Sequence, residues 1–215
     1  MRIAQGGLPF IIVSLLVTVF FMVATFFVDG LIKTVFLSLF VMFLLVSLTL
    51  IVFFRDPERK TGNGMVAVAD GRIREISNAE DKDVGECTKI STFMNVHNVH
   101  VNRMPLDGVI TEIVHLSGAH LPAFQKNSEK NERVLLLLNT SIGIVKIVQI
   151  AGTLARRIVP YVKKGDTIKK GERIGIIRFG SRVDLVLPTK KIKSLTVSIK
   201  DTIKAGEDTI AELYD

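Results

Sequence analysis

Near the C-terminus of this 215-residue chain stands Phe179-Gly180-Ser181-Arg182, a glycine followed directly by a serine and an arginine. Glycine has no Cβ, so in a tight turn the serine oxygen can approach the carbonyl carbon ahead of it. Attack of Ser181 Oγ on the Gly180 carbonyl converts the amide to an ester. Elimination across the ester leaves Gly180 as the end of the upstream fragment and dehydroalanine at 181, which loses ammonia to water and becomes a pyruvoyl group. A ketone there would draw off the electrons released when an amino-acid substrate loses carbon dioxide. Gly-Ser is also a common turn pair, so the reading depends on what else the chain supplies.

Serine at its free pKa is a poor nucleophile and needs an adjacent base. Outside the Gly-Ser pair, polar positions that are costly in a strand domain stand out: Asp70 in Ala69-Asp-Gly71, and His97 and His100 with Asn102-Arg103 in Val96-His-Asn-Val-His-Val-Asn-Arg103. In an extended strand, positions 97 and 100 point to opposite faces. A turn or bulge near Asn98 is therefore expected if both histidines serve one pocket. Imidazole is a common metal ligand, but no cysteine or further carboxylate stands at ligand spacing, so no metal site is expected. His115 and His120, beside Gly118-Ala119, either border a substrate path or are structural.

The chain around these residues changes character sharply along its length. Residues 1–54 carry only Arg2, Asp29 and Lys33 as charged groups and hold two apolar runs, Leu8 to Val28 and Thr34 to Phe54. Each has about the ~20 residues needed to cross a bilayer as a helix. Asp29-Gly30 breaks them, so a helical hairpin anchored in the membrane is expected, spanning it or dipping into one leaflet. A cleaved signal peptide fits less well, because the start has no basic region beyond Arg2 and no small-x-small site before Asp29. Arg55, Arg59 and Lys60 follow the second run, which predicts a cytoplasmic side for both chain ends.

Residues 55–64 read as a linker and 65–215 as one β-domain. Met65 to Ala69, Thr88 to Phe93, Gly108 to Val114, Val134 to Asn139 and Gly143 to Ile150 are alternating or β-branched stretches, and Asp70-Gly71 and Asp107-Gly108 punctuate them. Gly165-Asp-Thr-Ile-Lys-Lys-Gly171-Glu172 reappears 35 residues later as Lys200-Asp-Thr-Ile-Lys-Ala-Gly206-Glu207. Such a hairpin repeat resembles the lipoyl and biotinyl barrel-sandwich hybrids and predicts a compact, mainly β, pseudo-symmetric fold. From residue 55 onward the chain carries 26 basic against 20 acidic groups. A net-positive domain tied to a membrane suggests an anionic lipid surface. With two tyrosines and no tryptophan, nothing resembles a base-stacking platform, so nucleic acid is not the expected partner. Cys87 is the one cysteine, in keeping with a cytoplasmic domain.

Taken together, Phe54-Arg-Asp-Pro-Glu-Arg59, Ala69-Asp-Gly71, Val96 to Arg103, Asn131-Glu-Arg133, Gln149-Ile-Ala-Gly-Thr-Leu-Ala-Arg-Arg157, Gly171-Glu-Arg-Ile-Gly175 and Arg178 to Asp184 closely resemble the pyruvoyl-dependent phosphatidylserine decarboxylases, in the short self-cleaving form that includes archaetidylserine decarboxylases. The resemblance covers nearly the whole β-domain, in the family's order, and the N-terminal hairpin fits it too. One departure is Ala67-Val68 before Ala-Asp-Gly, where the family often has Ser-Pro. The resemblance implies that Ser181 is first the nucleophile of self-cleavage and then the covalent pyruvoyl cofactor, with His100 as base and Asp70 as its orienting partner in a Ser-His-Asp arrangement. It implies that His97 serves decarboxylation, as proton donor to the carbanion. It further implies a serine-headed anionic phospholipid as substrate, held through a Schiff base, and large and small fragments, 1–180 and 181–215, that stay associated, with or without homo-oligomerisation. Arg103 and Arg182 are the expected contacts for the lipid phosphate. The alternative is a membrane-anchored carrier or adaptor without catalysis, which explains the repeat and the anchor but not Ser181, the histidines and Asp70 together.

Overall fold

The computed structural model describes residues 2–118, 131–152, 157–178 and 181–214. Among these the chain forms two compact units, Met1–Glu58 and Arg59–Asp215. In the first, β1 (Arg2–Ile3) leads into α1 (Leu8–Ala24) and α2 (Gly30–Phe53), and the chain leaves through β2 (Arg55–Asp56). Pro9 lies in the first turn of α1, where its missing N–H costs nothing. Gly30 has φ +62°, a backbone conformation that suits glycine at the reversal. Strands β1 and β2 pair antiparallel, Arg2 opposite Asp56, so both ends of the hairpin meet at one end. The helices touch through small hydroxyl residues, with Thr18 Oγ1 and Ser14 Oγ each 3.1 Å from Ser47 Oγ, the kind of close contact favoured between helices in lipid. Phe21 stacks on Phe43 with ring centroids 5.5 Å apart.

Most of the other large apolar side chains of the hairpin, such as Leu16, Phe20 and Leu45, are exposed. One described helix, Gly30–Phe53, is long and apolar enough to cross a membrane. Helix α1 has 17 residues, fewer than the apolar run that contains it. The last part of that run goes to the turn, where Phe26 and Phe27 donate to the carbonyls three residues back and tighten the helix end.

The second unit is mainly β, as its alternation predicts. Its strands are β3 (Met65–Val66), β4 (Gly71–Asp81), β5 (Gly85–Met94), β6 (Val101–Arg103), β7 (Gly108–Leu116), β8 (Arg133–Thr140) and β9 (Gly143–Ala151). They continue as β10 (Ile158–Pro160), β11 (Thr167–Ile168), β12 (Arg173–Ile177), β13 (Ser181–Pro188), β14 (Ile192–Leu195), β15 (Thr202–Ile203) and β16 (Thr209–Leu213). Among the described residues an antiparallel sheet runs β11-β7-β8-β9-β13-β5-β4-β15, accompanied by the smaller sheets β10-β12-β6 and β14-β16-β3. Alternate residues of the large sheet, including Val134, Leu136 and Leu138 on β8 and Val183, Leu185 and Leu187 on β13, fill one core.

The sequence repeat becomes a spatial one. Its first copy supplies β11 at one edge of the large sheet and its second supplies β15 at the other. Ile168 pairs with Gly108 and Ile203 with Gly71, so each copy closes on one of the two Asp-Gly corners. Asp107 Oδ1 accepts the N–H of Lys170 at 2.7 Å, and Asp70 Oδ1 accepts the N–H of Ala205 at 2.8 Å. These corners require glycine for space. A Cβ on Gly71 would lie 2.1 Å from the carbonyl oxygen of Phe93, a backbone atom that cannot swing aside. Gly71→Ala should therefore destabilise the domain by about 3 kcal/mol, measured by denaturant unfolding of the purified protein. Gly85→Ala provides the contrast, since nothing stands within 4 Å of its Cβ; its φ of +79° adds only local strain, expected to cost about 1 kcal/mol.

Candidate functional site

Ser181 is the first residue of β13 and is fully buried. It lies between Met94 on β5 and Ala151 on β9, paired in register with both. Its hydroxyl points to the Met94 thioether at 3.1 Å. Phe179 and Gly180 lie outside the described residues, as does His120.

The turn expected near Asn98 is present. Asn98 N–H donates to the Asn95 carbonyl at 2.9 Å, and the Asn98 side chain accepts from the Asn95 N–H at 2.8 Å. The asparagine at 98 closes this loop on itself. The turn separates the two histidines in depth: His97 is exposed on it, whereas His100 is fully buried. His100 Nδ1 lies 2.9 Å from the Asn98 carbonyl. A carbonyl only accepts, so in the neutral ring Nδ1 carries the proton and Nε2 is the basic nitrogen. His115 sits exposed on β7.

The hydrogen bonds of Asp70 go to groups other than His100. Its carboxylate receives Arg59 at both oxygens, 2.5 Å and 2.8 Å, together with the Ala205 N–H. These contacts take up the group that was expected to orient His100, and the ring is held by the Asn98 carbonyl instead. Arg59 also donates to the Ala205 carbonyl at 2.9 Å. Burial disfavours the Arg59 charge, but Asp70 outweighs it and holds the guanidinium more firmly protonated than usual.

The two expected anion contacts are likewise engaged. Arg182 grips Asp184 through two nitrogens, at 2.8 Å and 2.6 Å, and both are buried. Arg103 donates to the Gly171 carbonyl at 2.9 Å. A different pair of arginines lies together before β13 in sequence, at the paired ends of β10 and β12 in a separate sheet. Ile158 and Ile177 are cross-strand partners at the start of β10 and the end of β12, which places Arg157 and Arg178 side by side, the Arg178 N–H 3.3 Å from the Arg157 carbonyl. Burial, and then the neighbouring Arg157 charge, push the Arg178 pKa below that of a free arginine.

Sequence reasoning marked Asn102 but missed its buried amide partner, Gln149. Gln149 on β9 donates from Nε2 to Asn102 Oδ1 on β6 at 2.7 Å, and Asn102 Nδ2 points to the same Met94 sulfur at 3.8 Å. Gln149 shares parity with Val145, Ile147 and Ala151, all core residues. A lone amide on an otherwise apolar strand face was the available signal. Among the described residues no group of three or more His, Cys, Asp or Glu comes together for a metal ion.

The sequence profile of the family described as phosphatidylserine decarboxylase matches residues 46–211. A Methanosarcina mazei protein named as an archaetidylserine decarboxylase proenzyme is 39% identical over 98% of this chain and 97% of its own. One from Methanococcoides burtonii with the same name is 44% identical over 81% and 80% of the two chains. A phosphatidylserine decarboxylase proenzyme of Streptomyces coelicolor is 45% identical over 74% and 68%.

The Arg59–Asp70 pair generates a stability test. Arg59→Met leaves a carboxylate buried without its partner and should cost about 3–5 kcal/mol. Arg59→Met combined with Asp70→Leu should recover most of that loss in denaturant unfolding, because neither charge is then stranded.

Proposed function

Since the chain belongs to the phosphatidylserine decarboxylase family, we propose that it cuts itself between Gly180 and Ser181 and then decarboxylates the serine head group of an anionic phospholipid, phosphatidylserine or archaetidylserine. The observation that carries this reading is the setting of Ser181: fully buried, at the head of a strand paired on both sides, with its hydroxyl against a thioether. A serine there is shielded from water, and a cut just before it would leave residue 181 held in place by β5 and β9.

A pyruvoyl group is no bulkier than the serine it would come from, so the space between Met94 and Ala151 accommodates it. Its ketone would take up the substrate amine and accept the electrons that carbon dioxide leaves behind. His100, with Nδ1 committed to Asn98, offers Nε2 as the base that takes the Ser181 proton. His97, exposed on the turn just before it, is proposed to return a proton to the α-carbon of the head group. Arg157 and Arg178 are proposed to meet the lipid phosphate: an anion would offset the like charges, and guanidinium forks suit phosphate oxygens. Asp70, through Ala205, anchors the small fragment to the large one. That fragment also keeps β13 in the middle of the large sheet, so the two pieces should remain associated after cutting.

The N-terminal hairpin suits a substrate whose tails stay in the bilayer. Arg55, Arg59 and Lys60 beyond α2 favour placing the catalytic unit on the cytoplasmic face. The repeat tips, by contrast, are poor carrier sites. The backbone at Lys170 and Ala205 is tied down by Asp107 and Asp70.

On a denaturing gel the purified chain should run as fragments 1–180 and 181–215, and intact mass should show residue 181 as a pyruvoyl. Ser181→Ala should stay whole, and His100→Ala should cut at least about 100-fold more slowly. His97→Ala should cut normally yet lose lipid decarboxylation, read as carbon dioxide released from phosphatidylserine and archaetidylserine vesicles assayed side by side. Loss of both activities in His97→Ala, with the fold intact, would refute the division of roles between the histidines.

A further inference from the structure

Buried polar atoms are nearly always paired, and an exception in a folded protein asks for a reason. Gln149 is fully buried, its Nε2 is used by Asn102, and its Oε1 has no hydrogen-bond partner among the described residues. The orientation of the two amides follows from the sulfur beside them. A thioether accepts but never donates, so Asn102 turns its NH2 towards Met94 and its oxygen towards Gln149. Gln149 must then present NH2 to Asn102, and the atom left over is an acceptor.

That acceptor belongs to the cluster around residue 181. Gln149 opposes Val183 across the β9–β13 ladder, two positions from Ser181 and on the same sheet face. Diagonal neighbours of this kind lie ~7–8 Å apart at Cα, a gap that a glutamine side chain and one small group between them can fill. The Met94 sulfur contacts both Ser181 Oγ and Asn102 Nδ2, so serine, thioether and amide pair form one continuous buried unit. Glycine at 175 keeps room for it: a Cβ there would come within 3.2 Å of Gln149 Nε2 and 2.9 Å of the Val159 carbonyl.

We propose that Gln149 Oε1, fixed by Asn102 and Met94, is the amine-binding subsite, accepting a hydrogen bond from the nitrogen of the serine head group as it reaches residue 181. The inference rests on the reading of residue 181 as the group that meets the substrate amine. A single acceptor in a dry pocket selects for a nitrogen that still carries N–H and against quaternary head groups, which have none to give.

The test uses the full-length protein, phosphatidylethanolamine vesicles, whose head group presents the same amine, and cyanoborohydride to fix the adduct. The readout is the mass gained by the small fragment. Gln149→Met keeps the shape and removes the acceptor; it should cut normally yet trap at least about tenfold less lipid than the wild type at equal vesicle concentration. Gln149→Glu restores an acceptor, to which Asn102 can turn its NH2, and should trap within about threefold of wild type. Hydroxylamine, too small to need positioning, should modify wild type and Gln149→Met equally. Equal lipid trapping by wild type and Gln149→Met overturns the proposal. So does loss of cutting in Gln149→Met, which would place Gln149 in the cleavage step itself. A wild-type chain that stays whole and is inert to hydroxylamine fails earlier, at the reading of Ser181.

Discussion

The structure depends on β13 being hydrogen-bonded on both flanks from its first residue. Ser181 opens that strand with Met94 on one side and Ala151 on the other. Breaking a peptide bond ordinarily frees an end to move. Here the new end would belong to β13, whose eight residues all pair with β5 and whose first six also pair with β9. The energetic requirement for a self-cutting protein is that the cut be made where native contacts are densest on one side of the scissile bond, and a central strand meets it better than any surface loop.

The second constraint is the duplication. Two copies of one hairpin close opposite edges of the large sheet, each against an Asp-Gly corner whose carboxylate accepts a backbone N–H from the turn. This covers edges that would otherwise be open to pairing with another chain. The copies differ in what joins them. Asp107 is a surface corner, whereas Asp70 is buried with Arg59, which in turn reaches the Ala205 carbonyl. The buried copy is the one whose hairpin lies downstream of Ser181, so the stronger tie falls on the fragment that a cut would otherwise release.

Much of this was legible in the sequence, and the remainder was not for definite reasons. The apolar hairpin, the strand character of the domain and the repeat follow from local pattern: run length, alternation, turn residues; the turn at Asn98 follows from the parity of the two histidines. The partners of charged groups do not. Asp70, Arg103 and Arg182 are each of the right type for a catalytic or anion-binding role, yet Asp70 goes to Arg59, Arg103 to a carbonyl and Arg182 to Asp184 two residues on. Those choices are made by which strands lie side by side, and composition carries no record of that. His100 is the same case in reverse: its tautomer is set by a backbone carbonyl, an acceptor present at every residue and therefore invisible as a motif.

The depth difference between the two histidines gives chemical meaning to the turn that separates them. A base for the internal serine must work where water is excluded, because a hydrated hydroxyl would compete for the proton and for the carbonyl. A group that serves an incoming head group must be reachable from outside. Three residues of chain, folded back by Asn98, are enough to place one imidazole in the core and the other at the surface. A straight strand would also turn the two rings to opposite faces; here it is the turn that carries His97 to the surface while His100 stays in the core. The Asn95–Asn98 turn is therefore the local feature through which one short segment could serve two reactions in different surroundings, and the same asparagine that makes the turn supplies the carbonyl that fixes the buried ring.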